Sequence, residues 1–150
     1  MAIETATLAA GCFWGVEYHL KKLKGVKKTL AGYTGGNSDS KPTYQEVCRG
    51  TTGHAEAVQV EFDSNEVSFL EILNLFWRLH DPTQLNRQGP DIGTQYRSAI
   101  FYHSEQQLSE AKESKKNFDE SGVFPTPAVT TLEPASAFFP AEEFHQDYFS

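Results

Sequence analysis

The chain has 150 residues, with 13 Lys and Arg against 20 Asp and Glu, a net charge of −7 with histidine neutral. That length suits one domain over 1–150, able to bury a core without disulfides or metal. The acidic balance argues against a nucleic-acid binder, which uses a basic face, and two cysteines are too few for a disulfide scaffold or a four-thiolate metal site.

Met1 to Ala10 carries Glu4 and no basic n-region, so no signal peptide is expected. Thr5 to Ala10 reads as a strand running into Gly11. A helix follows, because Phe13, Val16, Leu20 and Leu23 recur at three- and four-residue steps, and it stops at Gly25. The longest apolar stretch, around Leu8 to Val16, is too short to span a bilayer, so no membrane partner is expected. The basic cluster from Lys21 to Lys28 reads as the solvated end of this helix and a turn. Val26 to Tyr33 alternates loosely as a strand and ends in the turn Thr34-Gly35-Gly36-Asn37. Asn37 to Gly53 is polar and long for a plain connection, and reads as a functional loop.

Ala55, Ala57, Val58, Val60 and Phe62 form the next strand. Ser68 with Glu71 has the capping-box pattern, the stripe Phe69, Ile72, Leu73, Phe76 and Leu79 continues the helix, and Asp81-Pro82 ends it. Leu85 to Gln95 reads as a polar loop, Ser98 to His103 as a strand, Ser104 to Phe118 as a helix and Ala128 to Leu132 as a last strand. Ala141 to Phe149 is a terminal helix or an irregular tail. The order β-α-β-β-α-β, then α and β, is the split βαβ plan. It predicts an α+β, two-layer, ferredoxin-like core with C-terminal additions and helices on one face of the sheet.

The chemistry starts at Cys12, between a strand and a helix. Unpaired N–H groups and a partial positive charge at a helix N-terminus favour thiolate, the nucleophilic form. Position alone leaves a small buried core cysteine as an equal reading. Phe13 and Trp14 could wall an apolar slot for a small alkyl group; Phe13 also fits plain core packing, whereas Trp14 lies off the Val16/Leu20 stripe. Glu56 stands among Ala and Val in a strand, where desolvation raises a carboxyl's pKa and suits it to donate a proton near neutrality. Alternation places it on the side of His54 and Val58 without saying which face is buried. Tyr33, Tyr44 and Tyr96 lie in or beside the loops, where a phenol can donate to an oxygen gaining charge. Tyr44, in the longer irregular loop, is preferred to Tyr33. Asp91 can orient a polar group or cap a turn. His-Ala-Glu also occurs in zinc deaminases, but no downstream Pro-Cys-x-x-Cys follows here. His80, His103 and His145 sit at element ends and read as surface residues, and His19 lies too far along its helix to serve Cys12.

Gly11-Cys12-Phe13-Trp14-Gly15 resembles the signature of the methionine sulfoxide reductase A family. Similar segments follow in order: Gly32 to Gly36, Pro42 to Cys48, Gly53 to Val58, His80 to Thr83, Gly93 to Ser98, and Phe144 to Tyr148. The resemblance runs from about Leu8 to Tyr148 and implies a reaction, oxidative damage repair by reduction of methionine S-sulfoxide, free or in proteins, to methionine. It implies that Cys12 attacks the sulfoxide sulfur, that Glu56 protonates the oxygen, and that Tyr44 and Tyr96 hydrogen-bond it. Phe13 and Trp14 would hold the methyl group, Asp91 would position the substrate, and Cys12 would be left as sulfenic acid, with no metal or cofactor.

Many members carry recycling cysteines in a C-terminal tail, whereas no cysteine follows Cys48 here. Regeneration then falls to Cys48, to glutathione with glutaredoxin, or to thioredoxin. Cys48 reads as a small residue packed under the loop, and as a candidate resolving thiol only if the loop from Asn37 to Gly53 moves. A cytoplasmic, reducing compartment and a monomer are expected. Two rival readings stand beside this one. A Cys-His acyl hydrolase would need no reductant, and a non-catalytic binder of methionine-rich partners would survive loss of Cys12.

Overall fold

Alternation of side chains across a strand decides the two faces of the central sheet. In β1 (Ile3–Ala10), Ala6, Leu8 and Ala10 enter the main core while Ala9 joins a smaller cluster on the opposite face. The same split recurs in β3 (Ala55–Asp63), where Val58, Val60 and Phe62 face the main core and Ala55 and Ala57 face the other way. The chain is described here by a computed structural model over residues 2–36 and 42–148.

With β2 (Val26–Thr34) and β6 (Ser98–Tyr102), these strands form the antiparallel order β6-β1-β3-β2. That is the arrangement of the split βαβ plan, so the expected core is present. β7 (Thr131–Pro134) extends it in parallel beside β6, and β8 (Phe138–Pro140) antiparallel beside β2. Two helices cover the main-core face. The first, α1 (Phe13–Lys21), buries Phe13, Val16, Glu17 and Leu20. The second, α3 (Phe69–Leu79), buries Phe69, Ile72, Leu73, Phe76 and Trp77 and starts at the expected Ser68/Glu71 capping box. The long polar helix α4 (Glu105–Ser121) packs on α3, where Trp77 Nε1 donates to Ser114 Oγ at 2.8 Å.

Three expectations change and a fourth is narrowed. The presumed loop from Asn37 to Gly53 contains α2 (Tyr44–Cys48), closed at its start by Thr43 and Glu46 in a capping box of its own; residues 37–41 lie outside the described part. The polar loop from Leu85 to Gln95 contains a hairpin, β4 (Arg87–Gln88) with β5 (Asp91–Ile92), and a 3₁₀ turn at Thr94–Tyr96. The strand expected from Ala128 starts at Thr131 and is not the last, because β8 follows. Of the two forms expected for the C-terminal segment, the irregular one is present: among the described residues it holds a 3₁₀ turn, Glu143–His145, as it crosses α1 and β2.

This segment is tied down by polar groups. Ala141 N–H donates to Ala31 O at 2.9 Å, and Gln146 Oε1 accepts from Ala31 N–H at 2.8 Å. Buried Glu17 accepts from Asp147 N–H at 2.8 Å and from Thr29 Oγ1 at 2.9 Å. The placement matters for the site, because it brings Glu142 and His145 back to the start of α1. Among the described residues no helix is long and apolar enough to cross a membrane.

Candidate active site

Cys12 is the N-cap of α1, immediately after the Gly11 bend. Gly11 has φ +91°, and a Cβ there would stand 2.8 Å from Gln88 Cγ. The β4–β5 hairpin therefore lies directly against the strand-to-helix turn, and only glycine fits. A Cβ at Gly15 would meet open space, so that side of the helix start is accessible.

The helix start does not by itself make Cys12 a thiolate. Burial pushes the Cys12 thiol up to about 11, against the lowering hydrogen bond from the Trp14 backbone N–H. The negative charges of Glu56 and Asp91 add to the upward push. The expected stabilisation of the anion is present but loses to desolvation, so the free site holds a neutral thiol near pH 7.

Glu56 sits on β3 beside Tyr33 of β2, its cross-strand partner, and it faces the main core with Val58. It is 1% exposed. Its Oε1 accepts from Phe13 N–H at 3.2 Å, while Oε2 is buried with no partner among the described residues. Burial raises its pKa to about 7, partly offset by the Phe13 N–H and reinforced by Asp91. A carboxyl group half protonated at neutrality, with one oxygen unengaged, can donate a proton to a bound oxygen atom.

The phenols separate by their partners. Tyr33 is fully buried, and its hydroxyl donates to Glu142 Oε1 at 2.8 Å. The other Glu142 oxygen accepts from Tyr44 N–H at 3.1 Å. Tyr33 and Glu142 thus clamp the start of α2, and Tyr33 is occupied structurally. Tyr44 and Tyr96 are half-buried; burial first, then the nearby Glu56 and Cys48, raise both phenols above their ordinary range. Both remain O–H donors at any pH of interest. Tyr96 also feels Cys12 and Asp91. Cys12, Glu56, Tyr44, Tyr96, Asp91 and Cys48 therefore converge on one place, with Phe13 and Trp14 beside it. Cys48 is exposed rather than packed under the loop.

Phe13 is 0% exposed and packs among Tyr33, Tyr44 and His145, at centroid distances of 5.7, 6.4 and 5.4 Å. Trp14 is half-buried and lies flat against Tyr148, 4.0 Å between centroids. Its Nε1 donates to His145 Nδ1 at 2.9 Å. His145 is 1% exposed, contrary to its expected surface position, and its ring lies 4.3 Å from that of Tyr44. Glu142 and His145 are the site residues that the sequence analysis missed as such; the Phe144-to-Tyr148 segment marked the region, but nothing local showed that it returns to α1.

His80 is not at the surface either. It is half-buried, bonded to Phe76 O at 2.9 Å and Ser98 Oγ at 2.7 Å, and burial pushes its pKa down to about 4. His54 Nδ1 accepts from Gly36 N–H, and His103 Nε2 pairs with Thr7 Oγ1. Among the described residues no histidine acts on the Cys12 thiol, so the Cys-His pair of a hydrolase is missing. Nor is any group of three or more His, Cys, Asp or Glu placed to hold a metal ion among them. Size alone does not locate the site. A cavity of about 680 Å³ opens between α3 and α4, lined by Leu70, Trp77 and Phe118, and contains none of the converging groups.

The family described as peptide methionine sulfoxide reductase matches residues 4–150. The chain belongs to that family. Among its relatives, the peptide methionine sulfoxide reductase MsrA of Methanosarcina acetivorans is 54% identical over 147 residues, covering 98% of this chain and 78% of that protein. The MsrA of Geobacter sulfurreducens is 54% identical over 147 residues, covering 98% and 90%. The crystal structure of Mxr1 from Saccharomyces cerevisiae in reduced form matches with a TM-score of 0.92 at 37% identity, covering 99% of this chain and 84% of that one. Mxr1 in complex with Trx2 matches with a TM-score of 0.69 at 26% identity, covering 98% and 85%.

Proposed function

We propose that this chain reduces the S epimer of methionine sulfoxide, free or in proteins, to methionine, with Cys12 as nucleophile and Glu56 as proton donor. The observation that carries the residue assignment is the buried Glu56 carboxyl, with Oε2 unpartnered among the described residues, beside a thiol at a helix start. The sulfoxide oxygen takes the Glu56 proton and hydrogen bonds from the Tyr44 and Tyr96 hydroxyls. Sulfur becomes electrophilic, and Cys12 Sγ attacks it. The thiol proton passes to the Glu56 carboxylate just formed, which removes the barrier set by the raised Cys12 pKa. The hydroxyl oxygen passes from the substrate sulfur to Cys12 Sγ as the substrate's sulfur–oxygen bond and the transient sulfur–sulfur bond both break, so methionine leaves as the thioether and Cys12 is left as sulfenic acid. The net change is thiol plus sulfoxide to sulfenic acid plus thioether.

Trp14, held by His145, walls the apolar slot for the methyl group, and the fully buried Phe13 backs it from the core. Asp91, on β5 at the rim, positions the polar part of the substrate. A thiol reductant, of the thioredoxin class or glutathione with glutaredoxin, then restores Cys12; the Trx2 complex of Mxr1 supports the first. A reducing, cytoplasmic compartment suits two unpaired thiols. The test is methionine release from a blocked S-sulfoxide with a dithiol present. Cys12→Ser should abolish it and Glu56→Gln should slow it about 10²–10⁴-fold. Turnover that survives Cys12→Ser would overturn the reading.

A further inference from the structure

The β4–β5 hairpin holds two residue pairs, too few to keep a fixed place unaided. Gln88 lies opposite Asp91 in it, so their side chains stand on one face of the hairpin. That face is the one turned to the site. The Gln88 stem rests on Gly11, the residue before Cys12, where a Cβ would stand 2.8 Å from Gln88 Cγ and 3.0 Å from Gln88 Cβ. Ile92, opposite Arg87 on the other face, is exposed. The Gln88 amide is bonded twice to one residue beyond the end of α3: Oε1 accepts from Asp81 N–H at 3.0 Å, and Nε2 donates to Asp81 O. Asp81 is anchored to the sheet in turn. Its neighbour His80 is bonded to Ser98 Oγ at 2.7 Å, and Ser98 pairs across the sheet with Ala10, two residues before Cys12. A closed ring results, from Gly11 through Gln88, Asp81, His80 and Ser98 back to Ala10, and it registers the hairpin against the nucleophile's turn. Other bonds of the hairpin run within its own segment. Gly93 N–H donates to Asn86 O at 2.9 Å, and Gly89 N–H to Gln84 Oε1 at 2.7 Å.

We infer that Gln88 is a positioning residue: through its clasp on Asp81 it holds Asp91 beside the Cys12 turn, and so makes the site prefer a sulfoxide that carries a peptide or blocked amino-acid group to a bare dialkyl sulfoxide. This rests on the proposed reductase reading. A carboxylate accepts hydrogen bonds, so the substrate group that Asp91 serves is an N–H, present in a peptide and absent from a dialkyl sulfoxide. The sulfoxide oxygen and the methyl group are served by Glu56, the phenols of Tyr44 and Tyr96, and Trp14, none of which lies on the hairpin. The effect of Gln88 is therefore confined to the polar part of the substrate, remote from the reacting sulfur. A bond made there is present before and during the reaction alike, so its loss raises KM and leaves kcat in place. Without the clasp, Asp81 N–H and O are half-buried and can turn to water, so the chain keeps its fold while Asp91 loses its fixed place.

The experiment measures kcat and KM of the whole chain, with a dithiol present, on two substrates: a methionine S-sulfoxide blocked as amides at both ends, and dimethyl sulfoxide. Gln88→Met keeps the bulk against Gly11 and removes the amide. It should raise KM for the blocked sulfoxide about tenfold with kcat within about twofold, and leave kcat/KM for dimethyl sulfoxide within about twofold. On an Asp91→Ala background the same change should cost no more than about twofold further, because the residue it positions is gone. Gln88→Asn keeps a carboxamide one methylene short of Asp81; it should give the same pattern, and it carries the test should Gln88→Met fail to fold. Equal losses on both substrates would overturn the positioning role and leave the reductase reading intact. So would no loss on either, or losses that add in full to those of Asp91→Ala. No methionine release by the wild-type chain would overturn the reductase reading and the inference with it.

Discussion

Replacing Glu56 by glutamine tests the central claim in two independent ways. The carboxyl's ordinary value is 4.5 and its value in the folded chain is about 7, raised first by burial. That difference corresponds to about 3 kcal/mol between its charged and neutral forms. The direction follows from linkage. Below about pH 4.5 the group is protonated in both states and costs nothing. As pH rises, the unfolded chain ionises while the folded chain keeps its proton, so stability falls until the folded group ionises near 7. Glutamine keeps the acceptor for Phe13 N–H and cannot ionise. Relative to wild type, Glu56→Gln should therefore gain about 3 kcal/mol between about pH 4 and pH 8. Urea unfolding of both chains across that range measures it, since other titrating groups cancel in the difference. Over the same range wild-type kcat should fall on the alkaline side of about 7, as the acid form is lost. A stability difference that stays flat with pH would refute the desolvated carboxyl and with it the assignment of the proton donor.

The raised Cys12 value predicts slow alkylation of the free chain near neutrality. The rate should climb about tenfold per pH unit beyond about pH 9, and a plateau near pH 7 would contradict the burial argument. Tyr44→Phe should lower kcat about 10- to 100-fold with little change in stability, because only an O–H donor to the reacting oxygen is removed. Tyr33→Phe should do the reverse, costing about 1–3 kcal/mol in unfolding experiments by taking a buried donor from Glu142. Trp14→Phe should leave His145 Nδ1 without its donor, costing about 1–3 kcal/mol, and should raise KM more than it lowers kcat if Trp14 walls the methyl slot. Gly11→Ala should destabilise the chain, since both the positive φ and the Gln88 contact oppose a Cβ, and thermal unfolding would show it.

The nucleophile's surroundings were legible because they are local. A strand ending in Gly11, a cysteine and an apolar periodicity are written consecutively, and Cys12 stands at the helix start as expected. The Ser68/Glu71 box opened α3 for the same reason. Thr43 and Glu46 form the same kind of box at the start of α2, a signal that the reading of Asn37 to Gly53 as a polar loop did not use. By contrast, nothing near His145 or Glu142 shows that their segment crosses α1 and β2. That is decided by bonds from Ala31 and Glu17, more than 100 residues away in the chain.

The sequence by itself determined the order of elements, the split βαβ core and the residue types at the site, because periodicity, caps and turns act within a few residues. Only the tertiary structure decided the protonation of that site. The same helix start would favour a thiolate in water, but burial under the folded chain makes Cys12 a thiol. On β3, alternation left two faces open for Glu56, and packing chose the one beneath α1. Desolvation depends on every segment that covers a group, so it belongs to the assembled fold and to no single stretch of residues.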